Sequence, residues 1–150
     1  MARFVFPLQP LLRARRRAEQ ARQRAVAEVE RERLSLEDRL RRQQRQIAEG
    51  KRWLGDRLVG TLDVPVLRDQ AGATMLFMRK AQRVALELAG VHRRLEAVRA
   101  ELIEATKRRR AIELLRDRRF QQWKADLDKA ETAALDELAV IAAARREPES

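Results

Sequence analysis

The stretch VALELAGVHRRLEAVRAELIEATKRRRAI, residues 84–112, decides how this chain folds. Val84, Val91, Val98, Ala105 and Ile112 recur every seven residues, and Leu88, Leu95 and Leu102 form a second column in step with them. β-Branched residues in one column and leucine in the other are what two-stranded coiled coils favour. A helix cannot bury its own apolar stripe, so this pattern demands a second helix against it. Beyond Ile112 the seam slips by one residue and resumes at Phe120, Leu127, Ala134 and Ile141, flanked by Trp123, Ala130 and Leu138.

The facing helix lies earlier in the chain. Leu12, Val26, Leu40, Ile47 and Leu54 share one heptad position and Leu8, Val29 and Leu36 another, with Arg15, Glu19, Arg22, Arg33 and Gln43 interrupting both columns. Between the two patterns fall Gly50, Gly55, Gly60, Pro65 and Gly72, and the segment GTLDVPVLRDQAG, residues 60–72, reads as a turn because proline and glycine oppose a continuing helix. The expectation is an all-α fold, two long helices forming an antiparallel coiled-coil hairpin in a single domain spanning 1–150. Helix one should cover about 8–59, the turn about 60–73, helix two about 74–145, and a disordered tail 146–150. A fold-back centred near residue 66 makes partner numbers sum to about 132. It sets Phe4 and Phe6 against Phe120, Trp123 and Leu127, and leaves the end of helix two overhanging.

Composition agrees with that architecture. Charged residues make up 38% of the 150 residues and aromatics 4%, too little bulky material for a thick core, and cysteine is absent. The net charge of +11, 34 basic against 23 acidic residues, draws the chain to anionic partners. The opening apolar run precedes its arginines and contains Pro7 and Pro10, the reverse of a secretory signal, and no window reaches the length of a membrane span. His92 is the only histidine, and Asp126, Asp128, Asp136 and Glu137 are spread along a helix rather than gathered in a pocket. No phosphate-cradling or nucleophile-elbow motif occurs, so the reading is non-enzymatic, with no cofactor and no metal. KRRR at 107–110 could meet nucleic acid or an acidic membrane surface, which is the alternative function. Base stacking would need interleaved aromatics, however, and the nearest, Phe120 and Trp123, are in phase with the seam, which argues against nucleic acid.

The pattern F-x-F-x-L-x-x-L-L at residues 4–12, followed by arginines and Glu19, together with ATKRRRAIELLRDRRFQQW at 105–123, resembles the FliJ family of the bacterial flagellar export apparatus. It is more distantly similar to the stalk proteins of virulence-type type III secretion. The resemblance implies an antiparallel coiled coil similar to the central stalk of rotary ATPases. It further implies association with the hexameric export ATPase FliI, contact with the export gate protein FlhA, and help in cycling export chaperones. That role belongs to motility and chemotaxis, in a cytoplasmic protein peripheral to the cytoplasmic face of the inner membrane at the flagellar base. Placed on this sequence, it suggests that the apolar turn meets the gate through Ile47, Leu54, Phe77 and Met78. The basic open end, Arg13, Arg15, Arg16, Arg17, Arg108, Arg109, Arg116 and Arg119, would meet the ATPase.

Overall fold

Proline opens both helices of the chain. In the computed structural model, which describes residues 3–146, Pro7 sits in a turn closed by the Gln9 N–H donating to the Phe6 carbonyl at 3.1 Å, and helix α1 follows over Gln9–Arg57. Pro10 lies in its first turn, where a missing N–H costs nothing. Helix α2, Val64–Ala144, starts the same way with Pro65 as its second residue. The Asp63 carboxylate accepts from the Val66 N–H at 3.4 Å and the Asp63 carbonyl from the Leu67 N–H at 3.0 Å, so Asp63 caps the helix. With 49 and 81 residues, the two helices account for nearly all the described chain, and no strand occurs among the described residues.

This corrects the expected turn. Residues 64–73, read from the sequence as part of it, are helical, and only 58–63 join the helices. Pro65 is a helix starter here rather than a breaker, because its position in the first turn removes both of proline's objections to a helix. Gly60, at φ +93°, supplies the left-handed residue of the connection. Arg146 follows the end of α2 in a turn, and the rest of the expected tail, 147–150, lies outside the described residues.

The fold is a helical hairpin in which the two helices pack on each other, and its contacts divide into two compact units. Gln20–Glu104 form one, which contains the turn; Met1–Glu19 and Ala105–Ser150 form the other, which contains both termini. In the turn unit, Leu36 packs with Val84 and Val91, and Val29, Leu40 and Leu88 close around them, as the heptads require. Leu95, in the leucine column, is buried as well. Nearer the turn, Gly50 lets α2 approach so closely that a Cβ there would collide with the Thr74 Oγ1, which itself donates to the Gln70 carbonyl at 3.0 Å.

The terminal unit is closed by aromatics. Phe4 meets Phe120 edge-on at 5.3 Å between centroids and Trp123 at 5.8 Å, and Phe120 and Trp123 stack at 5.8 Å. Phe6 is buried, and Leu12 is 0% exposed. The expected meeting of the opening phenylalanine with Phe120 and Trp123 is therefore present.

Partner numbers, though, sum to 123 for Arg22 with Glu101 and to 129 for Arg16 with Glu113, short of the expected 132. The shorter turn shifts the pairing, because the chain reverses earlier.

Candidate partner-binding surfaces

The arginines expected to form a basic docking surface lie in the terminal unit and divide into two groups. Arg109 and Arg116 continue the column of Leu88, Leu95 and Leu102 at seven-residue steps, so they stand in the seam, half-buried. Arg109 pairs across the interface with Glu19 and along its own helix with Glu113, while Arg16 reaches Glu113 at 3.1 Å. Thr106 adds a hydrogen bond to Glu19 at 2.9 Å. Glu19, which interrupts the stripe of α1, thus meets the arginine that interrupts the stripe of α2. Burial pushes the Glu113 carboxyl up, but the hydrogen bond from Arg16 and the charges of Arg109 and Arg16 outweigh it and hold it below the usual carboxylate range.

Arg13, Arg17, Arg108 and Arg119 form the second group. They are exposed, and no ion pair among the described residues engages them; Arg15 is half-buried. Four flexible guanidinium groups on the surface of one unit can meet an acidic lining through many weak contacts, each contributing about 0–1 kcal/mol.

The turn unit offers the other surface. Ile47, Leu54, Phe77 and Met78, expected to face a partner, are all half-buried. Lys80 lies over the Phe77 ring at 5.7 Å. The exposed apolar residues are their neighbours Met75 and Leu76, and on the connection and its flanks Leu58, Val59, Leu62, Val64 and Val66. The Arg57 guanidinium covers the Trp53 ring at 4.2 Å.

The third surface is the expected overhang at the end of α2. Every described residue from Asp128 onward is exposed, including Leu135, Leu138, Val140 and Ile141, because α1 and the residues before it supply nothing to cover them.

Among the described residues no group of three or more His, Cys, Asp or Glu side chains could hold a metal ion, and no helix is long and apolar enough to cross a membrane. His92 is exposed on α2.

Comparison with protein families gives a match to the family described as Flagellar FliJ protein over residues 4–148. No curated protein and no solved structure matches the chain.

Proposed function

The chain belongs to the FliJ family, a component of the flagellar export apparatus, and from that premise we propose that it is a non-enzymatic adaptor between the export ATPase and the export gate. The observation that carries this reading is a pair of accessible surfaces, one on each unit: exposed Met75 and Leu76 on the turn unit, and on the terminal unit the exposed Arg13, Arg17, Arg108 and Arg119, which no ion pair among the described residues engages.

An exposed apolar patch suits a protein docking site, and methionine adapts to a partner's contours. The gate protein, FlhA, meets the turn unit at Met75 and Leu76 and at the accessible edges of Ile47, Leu54, Phe77 and Met78. The ATPase, FliI, meets the terminal unit at Arg13, Arg17, Arg108 and Arg119, with Arg15 and Arg116 beside them. Arg16 and Arg109, tied to Glu113 and Glu19, hold the helices together and shape that surface from within. Export chaperones are handed on by the same turn surface. A protein with these partners works at the flagellar base, against the cytoplasmic face of the inner membrane.

Two variants test the assignment by pull-down with purified ATPase and with the cytoplasmic part of the gate protein. Changing Arg13, Arg17, Arg108 and Arg119 to Gln should weaken ATPase capture and flatten its salt dependence while gate capture stays intact. Met75→Ser with Leu76→Ser should do the converse. Capture of both partners by both variants at native levels would overturn the reading.

A further inference from the structure

The connection between the helices carries a feature that partner docking does not use. Within nine positions, Leu58, Val59, Leu62, Val64 and Val66 are exposed aliphatic residues, Val59 at 83% and Leu58 at 62%. On the flanking helices stand the cations Lys51, Arg52, Arg57 and Arg68, all exposed, and the half-buried Trp53 beneath Arg57. The nearby carboxylates are Asp56, Asp63 and Asp69, of which Asp63 is engaged in capping α2.

The order of chemistry matters more than the amount of apolar surface. A protein interface places aromatic and arginine anchors at its centre and polar groups at its rim. Here the exposed aliphatic side chains stand on the connection and the first turn of α2, and the tryptophan and cations stand on the helices that flank it. That order matches the interface of a bilayer, where aliphatic groups enter the acyl boundary, tryptophan lies at headgroup level, and Lys and Arg reach anionic phosphates. We infer that the 58–63 connection, with the first residues of α2, inserts shallowly into an anionic lipid surface, with Leu58, Val59 and Leu62 in the acyl boundary and Lys51, Arg52, Arg57 and Arg68 on the headgroups.

Depth is limited by the backbone. Residues 58–63 are not helical, so their N–H and C=O groups need water or headgroups as partners, which restricts entry to about 5–10 Å. The net charge of +11 brings the chain to such a surface, and the connection gives it a fixed point of attachment.

Vesicles without protein test this independently of the export partners. The full chain carries Trp123→Phe, so that Trp53 is its only tryptophan. It is mixed at about 0.15 M salt with vesicles of phosphatidylcholine alone, or of phosphatidylcholine with about one-third phosphatidylglycerol, each also prepared with brominated acyl chains. The expected result is sedimentation with the anionic vesicles, a blue shift of Trp53 emission and quenching by bromine. Val59→Asp with Leu62→Asp, both at exposed positions, should cut partitioning by about tenfold or more. Arg52→Gln and Arg68→Gln should each cut it by about fivefold, the equivalent of about 1 kcal/mol per cation.

Three results would overturn the inference. One is sedimentation with anionic vesicles while Trp53 stays unshifted and unquenched, which would mean attraction by charge alone. Another is equal partitioning into both vesicle types. The third is unchanged lipid binding by the Asp variant together with loss of gate capture, which would make the connection a protein-docking surface.

Discussion

Gly50 and Thr74 meet where no larger pair would fit, and the contact shows how single residues set the spacing of the helices. An alanine at 50 would gain about 1 kcal/mol in helix propensity, yet its Cβ would strike a β-branched side chain whose hydroxyl is already bonded to the Gln70 carbonyl. Overpacking of this kind costs about 1–3 kcal/mol, so Gly50→Ala should lower the melting temperature. Adding Thr74→Ala should recover most of the loss, and a thermal-melt double-mutant cycle would show coupling of about 1 kcal/mol. The second residue-scale prediction concerns Glu113. Its pKa is lowered in the folded state by Arg16 and Arg109, so its contribution is complete above the unfolded value of about 4.3 and is lost as pH falls through the folded one. Glu30, held down first by its hydrogen bond from Arg33 and then by Arg99, acts with the same sign. Melting temperature should therefore fall below about pH 4.3, and Glu113→Gln should make that fall shallower.

For the elements, the contrast is between the paired length of α2 and its continuation. Leu12 of α1 is completely enclosed, and Leu12→Ala should cost about 2–5 kcal/mol by loss of burial and creation of a cavity. The stretch of α2 from Asp128 onward touches nothing that buries it. Ending the chain after Leu127 should reduce the total helical signal while leaving the melting temperature of the remainder within about 2 °C, since exposed residues contribute little to cooperative unfolding. A drop comparable to that of Leu12→Ala would mean that the continuation packs on the rest of the chain. At this scale the seam of α2 was legible in sequence: Val84, Val91 and Leu95 stand in its columns and are buried. The start of α2 was not, because a proline reads as a breaker until the cap at Asp63 places it in a first turn.

For the whole molecule, circular dichroism should report at least about 70% helix, well above the roughly 30–35% of ordinary globular domains. A value near the globular average would be incompatible with two helices of 49 and 81 residues. The ion pairs between the helices, Arg22 with Glu101 at 2.7 Å and Arg94 with Glu32 at 2.6 Å among them, are largely exposed and contribute about 0–1 kcal/mol each. Stability should therefore change little with salt, whereas capture of an acidic partner by Arg13, Arg17, Arg108 and Arg119 should change strongly.

Heptad columns, the scarcity of aromatics and the confinement of most glycines to 50–72 were enough to determine two paired helices and the meeting of Phe4 with Phe120 and Trp123. What only the tertiary structure decided was the register. A seven-residue pattern matches itself again after sliding by a heptad, so the apolar columns alone are compatible with partner sums near 132 as well as with those between Arg22–Glu101 and Arg16–Glu113. The turn at 58–63, the close approach of Gly50 to Thr74, and the pairing of Glu19 with Arg109 select among these, and each joins residues remote in sequence. The same choice separates the arginines paired between the helices from those without a carboxylate opposite them. That distinction depends on which carboxylate lies opposite, and a carboxylate lies opposite only once the register is set.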